Sequence, residues 1–301
     1  MSTVCGRSYI GTSKSVNQDA YCALVAETSF GEASLIAVCD GVGGLSCGEL
    51  ASSFAVREIA RWFEESLPSY LASNVRDGVL DLSNIQGAWT ALLEGINARI
   101  RRHGQSINAY LGTTATAVLI LDGRFAIAHV GDCRAYRLRG GACERLTRDQ
   151  TLIQREVEAG RISPEAALTH PQGSVILQAL GAQEGIDPAF YFGDARDGDM
   201  FLVACDGFYR RLDADGLAAR LGHLGQASEE AFDGVLADAI DQVAAKGEKD
   251  NITAVLLQLD LPDTATSVLS SEDEVTEHLS EVAALTAADC DDPTCVIAGG
   301  E

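Results

Sequence analysis

The stretch that most limits the fold is TTATAVLILDGRFAIAHV, residues 113–130, in which only Asp122 and Gly123 separate two β-rich runs. An Asp-Gly pair between two such runs is a strong signal for a β-hairpin. The two strands must be antiparallel, because a parallel pair needs a crossover of a dozen or more residues. A second hairpin is predicted at Gly140 and Gly141 in CRAYRLRGGACERL.

Helix-like segments fall before and between the strand groups. The predicted helices are GELASSFAVREIARWFEES, IQGAWTALLEGINARIRRHG and EEAFDGVLADAIDQVAAKG, and further strands are SLIAVCD, DMFLVACD and NITAVLLQL. Hairpins with helices grouped between them favour antiparallel sheets packed with helices over a doubly wound parallel sheet. We therefore predict an α+β fold in one domain over residues 1–261.

The charge balance limits the classes of partner. The formal net charge is -22, from 22 basic and 44 acidic residues, and 47% hydrophobic residues suffice for a large core. Such an acidic chain repels nucleic-acid backbones and anionic membranes, so we expect no binding to either. The absence of a long apolar run and the polar N-terminal segment predict a cytoplasmic protein with reduced cysteines. The spacing of Cys290 and Cys295, without a second pair, argues against a zinc site.

The composition changes after Leu261. Residues 262–301 contain ten acidic residues and neither Lys nor Arg, which predicts a flexible, solvated C-terminal tail. The segment SEDEVTEHLSEVAAL, with Ser271 as its cap, has the composition of a helix. A role in binding a partner or in self-regulation therefore stays open beside the flexible tail.

Aspartates recur where the predicted strands end. Asp40 and Asp206 directly follow apolar runs, Asp132 follows IAHVG, Asp250 lies just before a strand, and Asp19 is near the first strand. Each one alone is ordinary turn chemistry. If their strands adjoin, however, the carboxylates converge and repel one another unless a proton or a cation intervenes. Oxygen ligands without a nearby His–Cys set favour Mg²⁺ or Mn²⁺ over zinc.

The glycines around Asp40 support a site for hydrated ions. Gly41, Gly43 and Gly44 have no β-carbon, so a carbonyl oxygen and a hydrated ion can approach closely. Two divalent ions about 4 Å apart can share a water, lower its pKa and neutralise a phosphate ester. Spacing alone leaves open whether the carboxylates converge.

Seven segments occur in the order found in one enzyme family. They are KSVNQDA, CDGVGGLSCGELAS, GTTATAVLI, AHVGDCRAYRL, LTRDQTLIQREVEAGRISPEAALTHPQGSVILQALG, LVACDGFYRRL and KDNITAVLL. Together they span roughly residues 7–259 and resemble the metal-dependent (PPM, type 2C) protein serine/threonine phosphatases of the bacterial type. The resemblance implies a four-layer α-β-β-α sandwich with two central antiparallel sheets.

The resemblance also implies a set of metal ligands. Asp40 would bridge two ions, and Gly41 would ligate one of them through its carbonyl. Asp206 and Asp250 would hold the other ion. Asp132 falls where bacterial relatives, together with Asp206, bind a third and weaker ion. The implied cofactors are thus two Mn²⁺ or Mg²⁺ ions, with a third left open.

Other matched positions have supporting roles or depart from the family pattern. Asp19 would support metal-bound waters, and Asn251 would hold the end of the site. Lys14 replaces the usual phosphate-binding Arg and lacks its bidentate fork. Gln18 replaces a frequent Glu, and Val42 replaces a His that is thought to protonate the leaving group in animal relatives. Further departures are Leu45, Gln150 and Cys133.

Two neighbouring features complete the expected site. Cys39, Cys133 and Cys205 each adjoin one of the aspartates, and we expect them to point away from the ions, as strand neighbours do. Residues 149–173 resemble the bacterial flap over the cleft, which would shape substrate choice.

The implied activity is hydrolysis of phosphoserine and phosphothreonine in proteins by a metal-bridged hydroxide, without a phosphoenzyme. The expected partners are phosphorylated proteins and an opposing Ser/Thr kinase, and the expected state is a monomer. Two alternatives stay open. One is a pseudophosphatase that binds phosphoproteins or partners, and the other is a partner-switch phosphatase dedicated to a single anti-sigma antagonist.

Overall fold

The computed structural model describes residues 1–42, 47–76, 79–167, 170–212, 214–222, 229–261 and 283–284. Its strands are β1 (Thr3–Tyr9), β2 (Asp19–Thr28), β3 (Gly31–Asp40), β4 (Val75–Arg76), β5 (Val79–Leu80), β6 (Ala115–Leu121), β7 (Arg124–Val130), β8 (Arg134–Arg139), β9 (Ala142–Arg145), β10 (Ala189–Asp194), β11 (Met200–Ala204), β12 (Ile252–Gln258) and β13 (Ala283–Ala284). Its α-helices are α1 (Gly48–Arg61), α2 (Leu67–Ser73), α3 (Ile85–Ile107), α4 (Leu152–Glu158), α5 (Pro164–Ala167), α6 (Asp206–Tyr209), α7 (Ala214–Leu221) and α8 (Glu229–Ala245), with a π-helical turn (Trp62–Ser66) joining α1 to α2.

Two antiparallel sheets lie face to face between layers of helices. Sheet A has the strand order β1-β12-β11-β8-β9, and sheet B has the order β10-β7-β6-β3-β2-β13. Helices α1 and α3 cover the outer face of sheet B, while α8 packs on β1 and β12 of sheet A. The expected α+β sandwich with two central antiparallel sheets is confirmed.

Strand β3 shows why the central strands are apolar throughout. Leu35 and Cys39 belong to the core between sheet B and its helices, whereas Ile36 and Val38 belong to the core between the two sheets. Because side chains alternate along a strand, both faces of β3 are buried. Asp40 lies two residues after Val38 and four after Ile36, so its side chain is on the same face of β3 as theirs, the face toward sheet A.

Both predicted hairpins are present. Asp122 and Gly123 adopt φ values of 51° and 65°, and both are therefore in the left-handed region that a tight two-residue turn requires. Gly140 and Gly141 join β8 to β9 in the same way, with φ values of 57° and 80°. The turn residues, not distant contacts, therefore determine these two strand pairings.

Helix α3 ends later than its sequence indicates. Gly104 is not its stop, because the helix continues to Ile107 and ends where Asn108 takes a φ of 53°. Gly104 is instead a packing position, since a β-carbon there would lie 2.7 Å from the carbonyl oxygen of Ala109. The chain folds back over Gly104, and the Ala109 N–H donates to the Gly104 carbonyl at 2.9 Å.

Most of the predicted tail, including Ser271, Cys290 and Cys295, lies outside the described residues, so its flexibility stays a prediction. Ala283 and Ala284 are described, and they pair antiparallel with Val25 and Leu24 of β2. All seven cysteines within the described residues are free thiols. None of the described helices is long and apolar enough to cross a bilayer.

Candidate active site

The aspartates predicted at strand ends lie along one rim of the two sheets. Asp19 starts β2 and pairs directly with Asp40, which ends β3. Asp206 follows β11, and Asp250 precedes the antiparallel neighbour β12, so both lie at the same end of sheet A. Asp132 occupies the turn between β7 and β8, and β8 is the other neighbour of β11. Non-local strand pairing therefore brings together five carboxylates that are far apart in the chain.

The backbone around Asp40 is held by the neighbouring strand. The Asp40 N–H donates to the Thr114 hydroxyl at 2.9 Å, and the Asp40 carbonyl accepts from the Thr114 N–H at 2.8 Å and from the Thr113 hydroxyl at 3.0 Å. The next residue, Gly41, has no room for a side chain, because a β-carbon would lie 2.6 Å from the Gln18 carbonyl oxygen. Gly41 therefore packs closely against the backbone of Gln18 and Gly48, and the expected close approach of a hydrated ion stays a prediction.

Asp19 is buried and only partly satisfied. Its Oδ2 accepts a 2.6 Å hydrogen bond from the Thr253 hydroxyl, whereas its Oδ1 is buried without a hydrogen-bond partner. Burial raises the pKa of Asp19 to about 6, against hydrogen bonds from Thr253 and Cys205 that lower it. The Cys205 thiol donates to the Asn251 carbonyl at 3.5 Å and accepts the Thr253 N–H at 3.0 Å, so it contacts the backbone at the start of β12. That it points away from the ions stays a prediction. Cys205 lies after the end of β11, so the strand alternation no longer applies to it.

Burial and mutual repulsion act on the other carboxylates in the same direction. Burial raises the pKa of Asp40 well above its usual value, and the charges of Asp19, Asp206, Asp132 and Asp250 raise it further. Burial and then Asp206 raise the pKa of Asp132 to about 8. Burial also raises the pKa of Asp206, although the nearby Arg210 guanidinium lowers it. The ionised forms of these carboxylates are therefore destabilised at this rim unless a cation lies beside them.

Two cationic side chains contact the cluster. Lys14 Nζ lies 2.7 Å from Asp250 Oδ1, and the Arg210 guanidinium forms an ion pair with Asp206. Burial alone would lower the pKa of Lys14, but the hydrogen bond and charge of Asp250 raise it. Among the described residues, no three Asp, Glu, His or Cys side chains are arranged to hold one ion. Lys14 and Arg210 each engage one of the carboxylates, Asp250 and Asp206 respectively.

The residues nevertheless fit divalent cations. The donors are carboxylate and carbonyl oxygens, which Mg²⁺ and Mn²⁺ prefer. The unpaired buried oxygen of Asp19 is a further acceptor for a metal-bound water, since a buried polar atom without a partner is unfavourable. Gly41, crowded against Gln18, keeps the chain next to Asp40 free of a side chain.

Asn251 and Gln18 join the loops that carry these groups. The Asn251 amide donates to the Ile10 carbonyl at 2.9 Å, and its Oδ1 accepts the Gln18 N–H at 2.9 Å. The Gln18 side chain reaches Glu49 on α1, at 3.4 Å. Both residues therefore connect the segments on either side of Lys14 to the start of β12 and to α1. Their expected supporting role at the metal site stays a prediction.

Sequence reasoning missed two residues at this site. Arg210 lies one helical turn after Asp206, and a cation four residues after an acid is a signal that could have identified it. Thr253 is separated from Asp19 by 234 residues, and no local pattern announces their contact. The sequence could therefore have predicted the contact of Arg210 but not the contact of Thr253.

A family model described as protein phosphatase 2C matches residues 5–257, which is most of the chain. The chain belongs to the protein phosphatase 2C family. It is 31% identical over 230 residues to serine/threonine protein phosphatase PstP of Mycobacterium tuberculosis, covering 76% of this chain and 41% of PstP. The chain thus spans less than half the length of that relative.

Solved structures are similar to this chain as well. The serine/threonine phosphatase of S. agalactiae aligns with a TM-score of 0.73 and 29% identity, covering 86% of this chain and 100% of that one. The catalytic domain of M. tuberculosis PstP in complex with 2 manganese ions aligns with a TM-score of 0.66 and 27% identity, covering 85% and 97%. The range that the family model matches, residues 5–257, includes all five aspartates of the rim.

Several departures from the protein phosphatase 2C pattern have structural counterparts here. Gln150 accepts the Gly131 N–H at 2.8 Å through its side chain and so holds the turn before Asp132. The Cys133 thiol lies 3.2 Å from the Thr114 hydroxyl, beside the backbone of Asp40. Leu45 lies outside the described residues. Gln150 and Cys133 therefore contact the backbone and side chains next to Asp132 and Asp40.

Proposed function

We propose that this chain is a divalent-metal-dependent phosphatase that hydrolyses phosphoserine and phosphothreonine in proteins. The observation that carries the proposal is the convergence of Asp19, Asp40, Asp132, Asp206 and Asp250 at one sheet rim. Membership of the protein phosphatase 2C family supports the same reaction. No feature of the described residues favours the alternative of a pseudophosphatase, since Asp40, Asp206 and Asp250 are all present at the rim.

In this proposal the rim holds two Mn²⁺ or Mg²⁺ ions. Asp40 would contact both, the Gly41 carbonyl would contact one, Asp206 and Asp250 would hold the other, and Asp132 would contribute to a third, weaker ion. When bound, the ions would neutralise the charge of the phosphoryl group and lower the pKa of a bound water, so that a nucleophile is available near neutral pH.

The chain's own groups would bind the substrate and orient water. Lys14 presents its ammonium beside Asp250 with a 31% exposed side chain, so it can contact an incoming phosphate. Asp19, fixed by Thr253, keeps Oδ1 as an acceptor for a water at the rim. Val42 carries no transferable proton, so a metal-bound water or the solvent would have to supply the proton that the leaving alcohol takes.

The biological setting follows from the proposed activity. Phosphorylated proteins would be the substrates, an opposing Ser/Thr kinase would be the functional partner, and the flap, residues 149–173, would shape substrate choice. The cytoplasmic location and the monomeric state stay predictions. A partner-switch phosphatase would instead ignore short phosphopeptides and act on one folded phosphoprotein. An assay with both substrate types therefore distinguishes a general protein phosphatase from a partner-switch phosphatase.

Replacement of Asp206 by Asn tests the activity. We expect Mn²⁺-dependent hydrolysis of p-nitrophenyl phosphate and of a phosphothreonine peptide, and we expect Asp206→Asn to lower kcat/KM by at least about 100-fold, since metal charge stabilisation is worth several kcal/mol. Asp238→Asn, at an exposed position on α8, is the matched control and should retain activity. Metal-independent hydrolysis, or full activity of Asp206→Asn, would contradict the proposal.

A further inference from the structure

Arg210 stands beside the carboxylate rim, and none of the roles above uses it. It follows the last residue of α6, one turn after Asp206, and its N–H donates to the Asp206 carbonyl at 3.0 Å. Its guanidinium forms an ion pair with the Asp206 carboxylate and also donates to the Ser174 hydroxyl at 2.8 Å. Arg210 therefore joins the metal-binding rim to the segment that directly follows the flap.

The exposure of this pair differs between its members. The Arg210 side chain is 35% exposed, whereas the Asp206 side chain is 12% exposed. Lys14, which pairs with Asp250, is exposed to a similar degree, at 31%. Asp250 is itself 38% exposed, so of the two carboxylate partners only Asp206 is more buried than its cation. Both cations nevertheless reach solvent beside the rim.

The two cations have different geometries. Lys14 offers a point charge on a flexible stem, whereas the planar guanidinium of Arg210 can bind two phosphate oxygens at once. The charges of Asp206, Asp132 and Asp250 all act on Arg210, so it lies within electrostatic reach of the whole rim. Its position therefore suits the oriented, bidentate contact that Lys14 cannot make.

We propose that Arg210 is a phosphate-binding residue that contacts two oxygens of the substrate phosphoryl group and shares with Lys14 the role that the family resemblance assigns to one Arg. The inference rests on the proposed function. A divalent ion held by Asp206 would free the guanidinium from this ion pair and leave it available to a phosphoryl group at the rim. The contact with Ser174 keeps the side chain at the cleft during this exchange.

The competing explanation is that Arg210 only neutralises Asp206. In that case its removal changes Mn²⁺ affinity and stability but leaves phosphate binding to the metal-loaded protein unchanged. The two explanations thus differ in a binding constant that can be measured without turnover.

The experiment measures binding of inorganic phosphate by calorimetry to the full chain saturated with Mn²⁺. We expect Arg210→Ala to weaken phosphate binding about 10- to 100-fold, as the loss of a charge-assisted contact predicts, and Arg210→Lys to weaken it by a smaller factor. Arg61→Lys and Arg61→Ala, at an exposed ion pair with Glu58 on α1, are the matched controls and should bind phosphate as the wild type does. Mn²⁺ titrations and melting curves of each variant accompany these measurements.

The outcomes separate this inference from the proposed function. If Arg210→Ala binds phosphate as tightly as the wild type, the proposed role of the guanidinium is overturned. If the alanine variant does not fold, wild-type phosphate affinity in Arg210→Lys overturns it instead. A wild type that fails to bind phosphate also overturns it. If the wild type binds phosphate through Arg210 but hydrolyses no phosphoester, the role of Arg210 stands and the proposed activity fails.

Discussion

At the scale of single residues, Asp19 depends on one hydroxyl. Thr253 donates to its Oδ2 at 2.6 Å and lies 2.7 Å from the Ser8 hydroxyl, which in turn accepts from the Asn17 amide at 2.7 Å. Because Asp19 Oδ1 already has no partner, the Thr253 hydroxyl contributes disproportionately to keeping this carboxyl group in the core.

Thr253→Val removes that hydroxyl while preserving the shape of the side chain. We expect a loss of about 1–3 kcal/mol in the free energy of unfolding, and hence a melting temperature lower by roughly 2–10 °C. Thr90→Val is the matched control, since Thr90 makes only an exposed hydrogen bond to Gln86 and should shift stability by less than about 0.5 kcal/mol. Equal melting temperatures for the two variants would show that the contact with Asp19 contributes nothing.

At the scale of elements, the placement of Asp206 depends on how α6 meets the start of β12. Gly207, the second residue of α6, lies so close to Asn251 that a β-carbon would overlap the Asn251 carbonyl oxygen. Asp206 begins α6 and Asp250 lies two residues before β12, so the two aspartates flank this contact. A close approach of two backbones therefore sets the relation between two of the proposed ligands.

Gly207→Ala should push α6 away from β12. We expect destabilisation by about 1–3 kcal/mol, as overpacking predicts, together with weaker Mn²⁺ binding measured by calorimetry. Gly95→Ala provides the opposite control, because a β-carbon in that part of α3 would meet nothing within 4 Å and should stabilise the helix by about 0.5–1 kcal/mol. A Gly207→Ala protein with native stability and native Mn²⁺ affinity would refute the close-packing argument.

At the scale of the whole molecule, both sheets contribute carboxylates to one rim, so stability and metal binding are linked to pH. Burial and Asp206 raise the pKa of Asp132 to about 8, above the value of about 3.9 in an unfolded chain. A carboxyl group with a raised pKa stabilises the folded state fully below its unfolded pKa and loses that contribution as pH rises through the folded pKa. The buried, neutral His129, with a pKa of about 4, has the opposite effect below pH 6.5.

We therefore expect the metal-free protein to lose stability between about pH 6.5 and 8.5. Over the same range Mn²⁺ should raise the melting temperature by an increasing amount, because it binds the ionised carboxylates. Melting curves in EDTA and in Mn²⁺ across this range measure both effects. Asp132→Asn should flatten the pH dependence in EDTA, and metal-free stability that rises with pH in the parent protein would contradict the expectation.

Local sequence patterns determined the two hairpins, strands β3, β11 and β12, the antiparallel class and the positions of the aspartates at strand ends, but not strands β1 and β10. These features depend on side-chain alternation and on turn residues such as Gly123, which act over a few neighbouring positions. Tertiary structure alone decided that Thr253 supports Asp19 and that the Cys205 thiol packs against the backbone of Asn251 and Thr253. Such contacts depend on pairing between segments as much as 234 residues apart, and periodicity within one segment carries no information about its distant neighbours.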